Sequence, residues 1–148
     1  MRFRYSLFLG LFLMGHALVV HADEPAKKTI TQEALKMCNG EVSDECVVRH
    51  FKDSMEASII RGHAAFLNYC ILCHGPEGLG NGRAAKLHTP PPFNLTLSVA
   101  PREYIAQMIR KGGEANGRGK GMPPWGEQLT DEQINDLLNF LFSIRKFK

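Results

Sequence analysis

An all-α fold is predicted for this 148-residue chain from three observations. Apolar residues recur at spacings of three and four in its longer segments, the pattern of helices that bury one stripe. Turn and cap signals separate those segments, among them Asn39-Gly40, Ser43, Gly112-Gly113 and Thr130. No stretch shows the strict apolar/polar alternation of a half-buried strand. Hydrophobic residues at 44% and charged residues at 22% suit one soluble globular domain with room for an extension. They argue against disorder and against a membrane bundle.

Residues 1–22 read as a secretory signal. Arg2 and Arg4 supply the positive start, Leu7 to Val20 is an apolar run broken by His16, and Val20-His21-Ala22 offers small residues for a signal peptidase. The apolar run is shorter than the roughly 20 residues that span a bilayer. Cleavage after Ala22 is the expected processing, with an uncleaved anchor as the alternative. Arg2 and Arg4 are the only charged residues in the segment, so cleavage leaves 16 of the 18 basic residues against 15 acidic ones. The net charge then falls from +3 to +1. The excess of basic residues is therefore no argument for a nucleic-acid partner, and no Lys/Arg stripe with interleaved aromatics occurs.

Residues 23–56 form an extension. A polar leader to about residue 30 precedes a short helical pattern from Thr31 to about Cys38, with Ala34, Leu35 and Met37 inside it. After the Asn39-Gly40 turn, Ser43 is placed to cap a second helix whose apolar positions Val47, Phe51 and Met55 recur every four residues. Cys38 and Cys46 bracket the turn. The other two cysteines, Cys70 and Cys73, belong to a motif of their own, and export means an oxidising compartment. A Cys38–Cys46 disulfide closing a helical hairpin is the natural pairing. The rival is a metal or redox site built on Cys46 and His50, for which no further ligands are in view.

The next helix begins near Ser58, with Ile59, Ile60, His63, Phe66, Leu67 and Cys70 along one stripe. Gly62 within it costs about 1 kcal/mol of helix propensity against alanine. That is understandable where a second helix crosses closely. His63 reads as a surface or partly packed histidine, with ligation as the minor alternative. The stripe runs into Cys70-Ile71-Leu72-Cys73-His74, the spacing of a c-type haem attachment site. Each thiol adds across one haem vinyl group, and the imidazole of His74 then lies under the iron as proximal ligand. A redox dithiol or half of a zinc site would share the bare pattern. The first lacks a βαβ setting here, and the second lacks another close Cys/His pair after position 74.

Gly75, Gly78, Gly80 and Gly82 follow with Pro76 in a tight irregular loop. The loop follows a helix and lacks the Gly-Lys-Ser/Thr ending of a phosphate-binding loop. Pro90-Pro91-Pro92-Phe93-Asn94-Leu95 is a stiff segment suited to offering a backbone carbonyl to His74 Nδ1. Pro101 suits the first position of a helix with Tyr104, Ile105, Met108 and Ile109 on its apolar face, ended by Gly112-Gly113. Residues 112–121 hold five glycines and read as a flexible loop leading to Met122-Pro123-Pro124-Trp125. Thr130 and Gln133 form a capping box that opens a core helix carrying Ile134, Leu137, Leu138, Leu141, Phe142 and Ile144.

In this order, Gly62 to Ile144 resembles a class I (monohaem) cytochrome c domain of the small bacterial periplasmic kind. The resemblance implies a class I cytochrome c fold over residues 57–148, packed around one covalently attached haem c. It implies Cys70 and Cys73 as the attachment points and His74 and Met122 as axial ligands of the iron, Met122 matching the methionine before proline in the loop between the last two helices. Met108, at helical core spacing, reads as packing. Trp125 is expected to pack on the haem or to hydrogen-bond a propionate, with a plain core role as the alternative. The 23–56 extension is not part of the shared pattern.

With both axial positions filled by protein, the iron has no open site for substrate. The expected function is a periplasmic single-electron carrier, not an enzyme. Its partners would be redox proteins, a donor dehydrogenase or membrane complex and an acceptor oxidase or reductase, with only transient membrane association. The alternative is a tightly bound haem c subunit of a periplasmic oxidoreductase, docked through the extension. A sensor or haem enzyme with a vacant distal site is a third reading, which requires that Met122 does not bind.

Overall fold

The computed structural model describes residues 35–147, all helix, turn and loop, with no strand among them. The signal segment 1–22, the leader and the Thr31 cap lie outside the described residues. Five α-helices run in order: α1 Asp44–His50, α2 Met55–Tyr69, α3 Ile71–His74, α4 Arg102–Lys111 and α5 Asp131–Ser143. Short 3-10 turns at Ala85–Leu87, Leu95–Leu97 and Glu114–Asn116 punctuate the long connections.

Residues 35–37 are helical and close on the turn at Asn39 and Gly40, both with positive φ. The Gly40 amide donates to the Leu35 carbonyl at 2.7 Å, which satisfies one carbonyl of the helix end. Cys38 and Cys46 are disulfide-bonded across this turn, with Cα atoms 5.8 Å apart. Ser43 caps α1 by accepting from the Cys46 amide. The Val47, Phe51 and Met55 repeat does not form one helix. Ser54 accepts from the Ala57 amide and so starts α2 afresh, three residues ahead of the expected start near Ser58.

Helices α2 and α5 form the framework. The buried face of α2 is made of Ala57, Ser58, Gly62, Ala65 and Phe66, a small-residue face lying beside the bulky stripe that the spacing predicts. A Cβ on Gly62 would collide with the Asp136 carbonyl oxygen, so glycine is what allows the two helix backbones to touch. Around this contact Phe66, Ile109, Leu129, Ile134, Leu137, Leu138, Phe140 and Leu141 make the core. The crossing also carries charge. Arg61 holds the buried Asp136 carboxylate through Nε at 2.7 Å and Nη2 at 2.9 Å, Ser58 Oγ donates to the same carboxylate, and Asn139 donates to Ser58. Every oxygen of the buried acid is thereby matched, and the Arg61 pKa is raised, first by its hydrogen bond to Asp136.

Helix α5 opens with the complete Thr130/Gln133 capping box. Helix α4 ends on Gly112 at φ +74°, and Pro101 serves as its N-cap, one position before the first helical residue. Ala106 and Ile109 are the buried residues of α4, while Tyr104, Ile105 and Met108 are half-buried. His63 stacks on Phe140 with ring centroids 4.7 Å apart, a partly packed histidine.

Candidate haem site

The site grows from the end of α2. Cys70 closes that helix by donating its amide to the Phe66 carbonyl at 2.9 Å, and its own carbonyl accepts from the amides of Cys73 and His74 at 3.2 and 2.9 Å. On such a turn residues i, i+3 and i+4 share a face. Cys70, Cys73 and His74 therefore look one way and Leu72 looks the other.

The glycine loop then folds back over the motif. Gly80, Gly82 and Ala84 donate their amides to the carbonyls of His74, Cys73 and Leu72 at 2.8, 3.1 and 2.9 Å. These bonds satisfy the end of α3, where no intrahelical partner exists. Gly80 sits at φ +78°, and a Cβ there would strike the Pro92 carbonyl oxygen. Only glycine lets the motif, the loop and the proline segment stack this closely.

The stacking brings the proline segment under His74. His74 Nδ1 lies 3.2 Å from the Phe93 carbonyl oxygen. A carbonyl only accepts, so Nδ1 is the protonated nitrogen and Nε2 keeps a lone pair. Burial pushes the His74 pKa down, opposed by the bond to Phe93. The imidazole is thus neutral at neutral pH, in the tautomer a metal needs.

Both motif thiols are free and half-buried. Burial, with Cys73 beside it, pushes the Cys70 thiol up to about 12. A catalytic dithiol calls for the opposite shift, since the thiolate is its nucleophile, so the direction at Cys70 does not favour the redox reading. Among the described residues no group of three or more His, Cys, Asp or Glu side chains is placed to hold a metal ion. Cys73 Sγ lies 3.6 Å from His88 Nε2, a neighbour that spacing gave no reason to single out.

Met122 is half-buried and packs against the core cluster. Its loop is tied down on both sides, with the Gly113 amide donating to the Met122 carbonyl at 2.8 Å and the Trp125 amide to the Ile109 carbonyl at 2.9 Å. Arg118 donates its amide to Gly113 at 2.8 Å and Asn116 Nδ2 donates to the Gly112 carbonyl at 2.7 Å. The glycine-rich stretch expected to be flexible is therefore folded on itself, because its glycines admit backbone close to backbone. Met122, Trp125 and Cys70 all pack against the same core cluster. Trp125 also meets Tyr69 edge-on at 5.3 Å. Met108 is half-buried and is not among the side chains packed on that core.

Haem c fits these residues. Beyond the motif, the segment tied to His74 leaves bulky apolar side chains in solvent: Leu79, Phe93, Leu97 and Val99, the last 80% exposed. Apolar side chains left in open water around a half-buried histidine and two half-buried thiols call for a cover. A flat apolar ring held by those thiols would cover such a patch.

A family model described as cytochrome C oxidase, cbb3-type, subunit III matches residues 57–141, more than half of the chain. The chain belongs to this family. As a cbb3-type subunit III relative it carries a c-type cytochrome domain, with the all-α cytochrome c fold, and its chemistry is electron transfer through haem c. No curated protein matches the chain. Among solved structures it is similar to a chain of the Kuenenia stuttgartiensis reducing HAO-like protein complex. That likeness has a TM-score of 0.52 and 21% identity, covering 62% of this chain and 45% of that one. The present chain thus spans less than half of that chain's length, and at this identity the likeness speaks for the fold alone.

Proposed function

We propose that this member of the cbb3-type subunit III family is a periplasmic single-electron carrier with one covalently bound haem c. Cys70 and Cys73 would hold the ring through thioethers, and His74 Nε2 and Met122 Sδ would ligate the iron. The observation that carries the reading is the His74 ring, fixed by the Phe93 carbonyl with Nε2 free beside two thiols of the same turn. Haem c supplies an iron that gains and loses one electron. The chain's part is to orient the imidazole, to keep it neutral and to exclude water around it. Ligation by the Met122 thioether would favour the ferrous state and raise the reduction potential. With His74 and Met122 both holding the iron, substrate would have no place to bind, and the domain would act through protein partners, a donor dehydrogenase or membrane complex and an acceptor oxidase or reductase. Its contacts with them are small and transient, and contact with the membrane is only passing.

The chain is read as a signal segment over residues 1–22, an extension over 23–56 and a cytochrome domain over 57–148. Export with removal of the first segment is what attachment of haem outside the cytoplasm calls for. The second reading is a tightly held electron-transfer subunit of a periplasmic oxidoreductase. It is favoured by the family's description as an oxidase subunit and by the disulfide-closed hairpin ahead of α2, where Met37 and Val42 stand exposed beside Met55 at the start of α2. Co-purification of a second polypeptide with the exported protein would select it.

The deciding experiment is the visible spectrum of the purified, exported protein, oxidised and reduced, with and without carbon monoxide. The expected result is the weak long-wavelength band of methionine–ferric ligation and no response of the reduced protein to carbon monoxide. Ready binding of carbon monoxide and absence of the band would make the protein a sensor or catalyst instead.

A further inference from the structure

The carbonyl that orients His74 sits on a segment with little structure of its own. Residues 88–101 contain only the 3-10 turn Leu95–Leu97, and the Phe93 side chain is 59% exposed, so the protein core does not hold it. The aim of the Phe93 carbonyl follows from the peptide plane it shares with Asn94. Asn94 stands at φ −71° and ψ 103°, and its side chain closes on the chain two residues ahead. Asn94 Oδ1 accepts from the Thr96 amide at 3.1 Å and from Thr96 Oγ1 at 2.8 Å. The first bond is the turn that an asparagine side chain makes with its own backbone. The second holds the Asn94 side chain in the orientation that this turn needs.

Thr96 is fixed in its own right. It is buried among more exposed neighbours, with Leu97 and Phe93 in solvent. Its carbonyl accepts from the Lys146 amide at 2.9 Å, just beyond α5. On either side of it the segment is tied again. The Leu95 amide donates to the Gly78 carbonyl at 2.7 Å, and Arg145 Nη2 donates to the Ala100 carbonyl at 2.7 Å. The Arg145 guanidinium is itself laid over the Phe142 ring, 3.6 Å from its centroid. A buried hydroxyl thus joins the rigid end of α5 to the residue that follows the carbonyl.

We propose that Thr96 is a positioning residue of the haem site: through Asn94 it sets the aim of the Phe93 carbonyl, and with it the strength of the hydrogen bond from His74 Nδ1. The inference rests on the haem reading above and adds a determinant of the reduction potential. A well-aimed carbonyl raises the basicity of the imidazole, and a more basic ligand favours the ferric state. A carbonyl free to swing makes a weaker bond on average, so loss of the Thr96 hydroxyl raises the potential.

The test uses the holoprotein. Thr96→Val keeps the size of the side chain and both backbone bonds and removes only the hydroxyl. At a fixed applied potential its ferrous-to-ferric ratio should rise about threefold, an upward shift of about 28 mV. Exchange of the His74 Nδ1 proton with solvent, followed by NMR in the reduced protein, should quicken. Thr96→Ser should restore both readings. Thr130→Ala, which weakens the cap of α5 away from this segment, should lower stability and move neither. If Thr96→Val lowers the thermal midpoint but leaves the potential and the exchange unchanged, the residue only packs and the inference is overturned. A lowered potential, or an equal shift in Thr130→Ala, overturns it as well. Should Thr96→Val fail to fold, Asn94→Ala removes the acceptor of both bonds and carries the same expectations and the same refutation. A wild-type protein without haem sinks the haem reading and this inference together, whereas a normal wild type with unmoved variants sinks this inference alone.

Discussion

At the scale of single residues, the iron's distal ligand is the sharpest question. Met122 and Met108 are both half-buried, yet only Met122 packs on the core that also receives Cys70. Met122→Ala is expected to abolish the long-wavelength band of the ferric protein and to open it to carbon monoxide. Met108→Ala should keep the band, and the reverse pattern in visible spectra would exchange their roles. Cys70→Ser or Cys73→Ser should leave haem held by one thioether, and the double variant should release it on acid extraction, read by mass spectrometry of the denatured chain. Arg61 raises a different matter. Removing its side chain strands the Asp136 carboxylate in the core with Ser58 as its remaining partner, and an orphaned buried charge is strongly destabilising. Arg61→Ala should cost about 3 kcal/mol in denaturant unfolding, toward the lower end because the arginine is partly exposed.

At the scale of elements, the α2–α5 crossing depends on the absence of one side chain. Gly62→Val would force the helix backbones apart at Asp136, and a loss of about 3 kcal/mol with a lowered thermal midpoint is expected. Thr130→Ala removes one half of the capping box of α5 and should cost about 1 kcal/mol. The caps at Ser43 and Thr130, the stop at Gly112 and the close approach at Gly62 were legible in the sequence because each rests on local backbone chemistry. The stiff proline segment announced a carbonyl for His74 without saying which, and the structure supplies that of Phe93. The break at Ser54 was hidden by the accidental four-residue repeat of Val47, Phe51 and Met55. The small-residue face of α2 was hidden because Ala57, Ser58 and Ala65 carry little hydrophobic signal, although they decide which side the partner helix meets. The Arg61–Asp136 bridge and the nearness of His88 to Cys73 were not legible. Each joins residues distant in the chain, and an isolated charge or imidazole has no periodicity to betray its partner.

At the scale of the whole molecule, the hairpin ahead of α2 is separable from the haem site. Its disulfide closes a short ring, which stabilises by roughly 2–3 kcal/mol through the unfolded chain. Replacing Cys38 and Cys46 together by serine should lower the thermal midpoint while leaving the visible spectrum untouched; a changed spectrum would tie the extension to the site. The loop that presents Met122 is different. It is clamped to the end of α4 on one side by Gly113 and on the other by Trp125, and it cannot shift without breaking backbone bonds at both. His74 is pinned just as firmly by Phe93. Were His74 and Met122 to ligate the iron as proposed, both would be held by main chain, and the coordination sphere would be nearly the same shape in either oxidation state. The inner reorganisation energy would then be small, and the barrier to electron exchange between two copies would lie chiefly in the surrounding solvent and in the distance between their rings.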